Sequence, residues 1–243
     1  MEEKPSIKII YDAFQYNIGV EDFNEIETFK KQISKDYTSF VKAIPTGRGG
    51  GAYQFIVDFI INLNAKDYFK IISVYLASKA LDKIIDPILD RYIFVPLKNA
   101  YKELKKVNPI LDCYQLKIEF LDTKIYIYSV YNDSLIENID KILQELYTHF
   151  SDLIINEFGD EFPSEIHIPL LFHQFLEFQI YRPPLGMEES IIAKKEDFYK
   201  LWGLKYQYTH NSKIYDLINN CFIDGEFMTE KEFYDFANSK LGL

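Results

Sequence analysis

The sequence predicts an α+β fold, in which helices cover one face of a small mixed β-sheet and a small, mainly helical C-terminal lobe follows. Three observations lead to this prediction. A strand, a helix and a strand follow one another near the start of the chain, an alternating segment further on is typical of a β-hairpin, and a long amphipathic helix pattern comes after it. The chain of 243 residues is long enough to bury a sizeable core.

The first three elements are predicted from hydrophobic spacing. Ile7–Phe14 is rich in β-branched and aromatic residues, which favours a buried strand. Asp22–Ile33 has apolar residues at helical spacing and lysines near its end, where cations suit the helix dipole. Tyr37–Ile44 predicts a second strand, which Pro45 is expected to end. A helix between two strands is typical of parallel neighbours.

The apolar segment that follows predicts a buried helix. Its polar residues Gln54, Asp58 and Asn62 recur at every fourth position and would form one narrow stripe. A second helical pattern covers Lys66–Tyr92, and Pro87 is expected to kink or divide it. The helix that begins at Ala52 is expected to cover one face of the sheet, together with the helices at Asp22 and Ser134.

Alternating residues predict the hairpin. Cys113–Phe120 alternates between apolar and polar side chains, and Lys124–Tyr131 follows after a short turn. Ser134–Glu137 has the form of a capping box, and the apolar positions after it line one face of a long helix.

The acidic segment Asn156–Glu165 contains glycine and proline and predicts a boundary, which divides the chain into an α+β domain at residues 1–156 and a mainly helical region at residues 163–243. Within the second region, His167–Gly186 fits either a strand or a helix. Short helices are predicted over Lys195–Trp202, Ser212–Cys221 and Thr229–Leu241.

Composition restricts the classes of function. The formal net charge of −10 repels phosphate backbones, so nucleic acid is not the expected partner. The two cysteines lie far apart without metal-binding spacing, which predicts neither a disulfide framework nor a zinc site. The charged N-terminus resembles no signal peptide, and no apolar stretch is long enough to span a bilayer of about 30 Å. We therefore expect a soluble cytoplasmic protein.

A glycine-rich stretch is the first candidate site. Backbone N–H groups at such a turn can bind an anion, and an arginine can add a bidentate contact. However, the stretch lacks both the P-loop and the dinucleotide-binding spacing, so the favoured interpretation is that small residues let the chain turn tightly. The candidate ligand-binding residues are Thr46, Gly47, Arg48, Gly49, Gly50 and Gly51.

Asp112, Asp122 and Lys124 are an alternative metal or catalytic set. Two carboxylates and a lysine across a hairpin are similar to the arrangement in which many nucleases bind Mg²⁺. Asp122 also suits a turn through hydrogen bonds to its own backbone, and this second interpretation is favoured. The four histidines show no metal-binding spacing, so neither a metal nor another cofactor is predicted.

The order strand, helix, strand, Pro-Thr-Gly-Arg-Gly-Gly-Gly, apolar helix and β-hairpin resembles the effector-associated constant component domains of bacterial conflict systems. The order of predicted elements matches over about two thirds of the chain, whereas the residues themselves match over Ile44–Gly51 only. It implies a non-enzymatic adaptor or accessory protein that contacts an effector or sensor of the same antiviral system, with no catalytic residues and no cofactor to carry over.

Two other functions remain open from the sequence: a divergent metal-dependent nuclease, and a sensor that binds an anionic small molecule at the glycine-rich turn. The expected partner is another protein rather than a membrane, and self-association is left open.

Overall fold

The computed structural model describes residues 5–14, 23–46, 54–70, 94–107, 109, 111–129, 135–136, 139, 151–158, 161–170, 177–181, 190–194, 211–217, 219–225, 231–232, 235 and 239. The chain forms two compact units, Met1–Phe162 and Pro163–Leu243. Both helices and a mixed pattern of strands are present, so the predicted α+β class is confirmed.

Within the described residues, the first unit contains five strands, three helices described from end to end, and a further helical segment at residues 65–70. The strands are β1 Ser6–Phe14, β2 Thr38–Thr46, β3 Gln54–Ile60, β4 Asp112–Glu119 and β5 Lys124–Ser129. The helices are α1 Phe23–Ile33, α2 Val95–Val107 and α3 Ser151–Phe158. The strand order is β2-β1-β3-β4-β5. The pairs β1–β2 and β3–β4 are parallel, whereas β1–β3 and β4–β5 are antiparallel.

The β1–α1–β2 unit agrees with the prediction, including its parallel pairing. The expected end at Pro45 is wrong, because β2 continues to Thr46 and Pro45 pairs with Ala13. Since β2 comes last in the strand order, a residue without an N–H is tolerated there.

The prediction of a buried helix after the glycines is wrong for Gln54–Ile60, because this segment is the strand β3. This strand has neighbours on both sides, and such a central strand can be apolar along nearly its whole length. A short apolar run of this kind cannot be told from a helix by spacing alone. Asp58, one residue of the supposed helical stripe, is instead compensated by lysines on the two adjacent strands.

The helices α1 and α2 pack together, and α1 also packs against β2. A helix beginning at Asp22 was predicted, whereas none was predicted over Val95–Val107. The inward residues of α1 and α2, including Phe29, Ile33 and Leu104, are buried. Phe59 of β3 lies between Tyr37 and Phe94, with ring centroids 5.4 and 4.6 Å away. Burial raises the pKa of the Tyr37 phenol well above its usual value. Edge-on aromatic pairs of this kind join the sheet to the starts and ends of the helices.

The described part of the second unit consists chiefly of strands, which differs from the mainly helical region that was expected. These strands are β6 Glu165–Leu170, β7 Glu177–Tyr181, β8 Ser190–Lys194, β9 Ser212–Asp216 and β10 Cys221–Asp224. Strands β6 and β9 are parallel, while β9–β10 and β7–β8 are antiparallel pairs.

The helix predicted over Ser212–Cys221 is wrong, because this segment forms β9 and the turn to β10. Asn220 has a φ of 50°, the left-handed conformation that asparagine tolerates in tight turns. The long-range pairing of β9 with β6, together with this turn, therefore outweighed the apparent helical spacing. The segment His167–Gly186, which was left open, contains strand.

Several predicted helices lie partly or wholly outside the described residues. Residues 65–70 are helical at the start of the pattern predicted over Lys66–Tyr92, and the rest of that pattern is not described. Ser134 and Glu137 of the capping box also lie outside the described residues, as does the predicted helix Lys195–Trp202. The described residues within Thr229–Leu241 are helical.

Candidate functional site

The sheet of the first unit carries a row of side chains on the face away from α1 and α2. The register aligns one residue from each strand across the sheet. Paired residues point to the same face, so these five side chains are neighbours. In strand order, the row consists of Phe40, Lys8, Asp58, Lys117 and Tyr126.

Asp58 is the centre of the charges in this row. Its Oδ2 atom lies 3.7 Å from Lys8 Nζ and 3.3 Å from Lys117 Nζ. Lys117 Nζ also lies 2.9 Å from the Glu119 carboxylate. The largely buried Asp58 is thus compensated by one lysine from each neighbouring strand, which links β1, β3 and β4 through their side chains.

The pKa values of Lys117 and Glu119 are shifted in the directions that an ion pair produces, up for the lysine and down for the glutamate. Burial would lower the pKa of the Lys117 ammonium, but the hydrogen bond to Glu119 and the charges of Asp58 and Glu119 together raise it. The hydrogen bond from Lys117 holds the pKa of Glu119 below its usual value, against partial burial. Both groups therefore stay charged near neutral pH.

The row becomes more exposed toward β2. Asp58 and Lys117 are largely covered, whereas the Lys8 side chain is 44% exposed and Phe40 is 57% exposed. Lys42, two residues beyond Phe40 on the same face of β2, is also exposed. We call Lys8, Phe40 and Lys42 the β2 patch: an aromatic ring beside two cationic side chains.

The predicted glycine-rich site begins where β2 ends. Thr46 is the last residue of that strand. Gly47, Arg48, Gly49, Gly50 and Gly51 lie outside the described residues. The anion-binding turn therefore stays a prediction.

The structure separates the members of the alternative metal set. Asp122 Oδ1 accepts a hydrogen bond of 2.8 Å from the Ala65 backbone N–H, so this carboxylate caps the helical residues 65–70. Lys124 begins β5 beside Glu119. Asp112 begins β4, whose far end is about 23 Å away at the usual rise per strand residue. The set is therefore not brought together at one point.

The second unit contains a polar cluster of its own. Glu165 and Ser212 are paired across β6 and β9, and Ser212 Oγ donates to Glu165 Oε2 at 3.3 Å. His167 Nε2 lies 3.4 Å from the same carboxylate oxygen. The serine thus donates to the acid, whereas an activated nucleophile needs a bond to a base such as histidine. Burial lowers the pKa of His167 to about 3, so its ring is neutral at pH 7.

Sequence reasoning did not single out the charged row or the Glu165 cluster. Asp58 is the single charge in the apolar run Gln54–Ile60, and such a lone charge is a signal that could have prompted a search for lysines on neighbouring strands. Glu165 and Ser212 are far apart in the chain, and only the strand register brings them together.

Comparisons with protein-family models, curated proteins and solved structures found no match. In the part of the chain that the structure describes, no three His, Cys, Asp or Glu side chains form a group that could hold a metal ion. Within the same residues, no helix is both long and apolar enough to cross a membrane.

Proposed function

We propose that this protein is a non-enzymatic adaptor or accessory protein of a bacterial conflict or antiviral defence system, and that it binds an effector or sensor of that system. The observation that carries this proposal is the β2 patch. Phe40 is 57% exposed although it belongs to a regular strand, and its neighbours on the same face are Lys8 on β1 and the exposed Lys42 on β2.

An exposed aromatic ring on a strand suits protein recognition. Large rings supply much contact area, and they often dominate the binding free energy of an interface. The backbone of β2 is held by β1 along nine residues, so Phe40 is presented with little backbone freedom to lose on binding.

Two carboxylates in the described part of this unit have structural roles instead of a binding role. Asp122 caps a helix, and Asp58 joins three strands through two lysines. Phe40 has no comparable structural role, because most of its surface is in contact with solvent. Binding a partner would bury this surface and gain free energy from it.

The proposal can be tested by comparing capture of the partner by Phe40→Ser and by a control variant. The tagged full chain would be cross-linked in its native host and purified, and the captured proteins would be quantified by mass spectrometry. Leu121→Ser is the matched control, since Leu121 is 69% exposed in the β4–β5 turn.

Phe40→Ser is expected to reduce capture of a defence-system protein about tenfold, while Leu121→Ser leaves it unchanged. Both variants should retain the wild-type circular dichroism spectrum, because each change is at an exposed position. Equal capture by wild type and Phe40→Ser would refute the proposal.

A further inference from the structure

We infer that the partner binds as an extended acidic segment that adds a strand to the outer edge of β2. This inference rests on the proposed function and specifies the chemistry of the partner. It follows from the position of β2 in the sheet, from the exposed side chains on that strand and from the local charge.

The backbone of β2 provides the edge. β2 pairs with β1 on one side, and among the strands that the structure describes none pairs with its other side. Alternate N–H and C=O groups of such a strand point away from the sheet and can pair with an added strand. With nine residues, Thr38–Thr46 is long enough for several such bonds.

Protection against aggregation explains some of the residues on β2, but not Phe40. Natural edge strands often carry a lysine or a proline that discourages pairing, and β2 has Lys42 and Pro45. Phe40 has the opposite effect, since an exposed aromatic ring favours contact. Pro45 restricts pairing near the end of the strand, which leaves Thr38–Ile44 as the segment able to receive a partner.

The register predicts the side chains of the added strand. Two residues of the added strand would lie beside Phe40 and Lys42, about 4.8 Å away, on the face of the sheet away from α1 and α2. The residue between those two would lie beside Val41, on the face that the helices cover. An aromatic or apolar residue suits Phe40, a carboxylate suits Lys42, and an apolar residue suits the half-buried Val41.

The charges near β2 favour an acidic segment as the partner over a second copy of this chain or a nucleic acid. Lys42 is exposed on this edge strand, whereas Lys8 lies on the adjacent strand β1 and is ion-paired with Asp58. A second copy would bring another net charge of −10 and place its own Lys42 near this one in an antiparallel pair. Nucleic acid carries a charge at every phosphate, so it would be repelled by this net charge more strongly than a short segment with a single carboxylate opposite Lys42.

The test measures binding of synthetic peptides to the full chain by isothermal titration calorimetry. Two capped probes, Thr-Val-Tyr-Val-Glu-Val-Thr and Thr-Val-Glu-Val-Tyr-Val-Thr, present tyrosine and glutamate in the orders required for parallel and antiparallel addition. Each probe is also made with lysine in place of glutamate, and with N-methylated amides on the edge that would pair with β2.

At least one glutamate probe is expected to bind the wild-type chain. Lys42→Glu and N-methylation should each weaken this binding about tenfold or more, and the lysine probe should recover binding to Lys42→Glu. Lys31→Glu, which changes an exposed lysine on α1, is the matched control and should bind like wild type.

Three results would overturn the inference. These are the absence of binding by either probe, equal binding by the N-methylated probes, and Lys42-dependent binding of a single-stranded oligonucleotide in place of the peptides. If partner capture still depends on Phe40 while the probes fail, the edge-strand inference alone is refuted. If capture is indifferent to Phe40, the proposed function is refuted instead.

Discussion

Gly225 lies so close to the backbone of Ser212 that a side chain does not fit there. A Cβ atom on Gly225 would be 2.6 Å from the Ser212 carbonyl oxygen, to which the Gly225 N–H already donates at 2.9 Å. Gly225→Ala is therefore expected to lower the free energy of unfolding by about 1–3 kcal/mol. Urea denaturation measures this change, with Ile223→Val expected to alter it by less than about 0.5 kcal/mol. Equal stability of the alanine variant and wild type would contradict the close packing.

Asn220 occupies a left-handed backbone conformation in the β9–β10 turn. Its φ is 50°, and its Oδ1 atom accepts a hydrogen bond of 3.3 Å from the Tyr215 hydroxyl. Asn220→Ala and Asn220→Gly both remove this bond, so their difference isolates the backbone. The alanine variant should be less stable than the glycine variant by about 1 kcal/mol in urea denaturation. The reverse order would show that the turn does not require this conformation.

His167 is expected to make stability depend on pH. Its ring is 1% exposed, and burial lowers its pKa to about 3 from 6.5, despite the Glu165 carboxylate at 3.4 Å. Below pH 6.5 the unfolded chain binds a proton that the folded chain does not, so stability falls as the pH falls from 6.5 toward 3 and is constant above 6.5.

Between pH 7 and pH 5 this difference amounts to about 2 kcal/mol. Urea titrations at both pH values, with His167→Gln as the comparison, would measure it. The glutamine variant should lose that much less stability over this range. An identical loss in both proteins would show that His167 is protonated in the folded state.

At the scale of elements, Asp58 links three strands, so its charge should matter for the stability of the sheet. Asp58→Asn keeps the shape but removes the charge that compensates Lys8 and Lys117. The expected loss is about 1.5–3 kcal/mol, typical of a covered hydrogen bond to a charged group. Glu103→Gln on α2 is the control, because the Glu103–Lys106 pair is exposed and should contribute less than about 1 kcal/mol. Equal losses in urea denaturation would contradict the special role of Asp58.

The elements that sequence predicted well are those with a clear period. Helical spacing indicated α1, alternation indicated β4, and β5 was predicted as the second strand of the hairpin. For β3, spacing predicts a helix instead, because its one charge, Asp58, is compensated by lysines on other strands and local spacing contains no information about them. The short strand β9 was missed because its pairing with β6 joins residues far apart in the chain.

The candidate site shows the same difference between features that are local in the sequence and features that depend on distant residues. A turn role for Asp122, with hydrogen bonds to its own backbone, was predicted from its place between two strands. The structure places Asp122 in that turn, but its carboxylate accepts a hydrogen bond from the distant Ala65 N–H, which local sequence does not reveal. Phe40 was not singled out, because its sequence context fits any half-buried strand. Only the strand order reveals that β2 lies at an edge and that its ring is exposed.

For the whole molecule, the charge predicts how solubility varies with pH. The net charge of −10 at pH 7 approaches zero near the sequence pI of about 5.0, where repulsion between molecules is lost. Solubility should therefore be lowest near pH 5 and rise on the neutral side. Light scattering across pH 4–8 would measure this. A minimum near pH 7 would show that part of the acidic surface is neutralised in solution.

The central claim, that the protein acts through the edge and outer face of β2, is tested most directly by amide hydrogen exchange. The full chain would be measured alone and in complex with the partner captured by wild type but not by Phe40→Ser. The account predicts that amides within Thr38–Ile44 gain protection in the complex, while those of α1 do not change. Protection that arises elsewhere, with β2 unaffected, would contradict it.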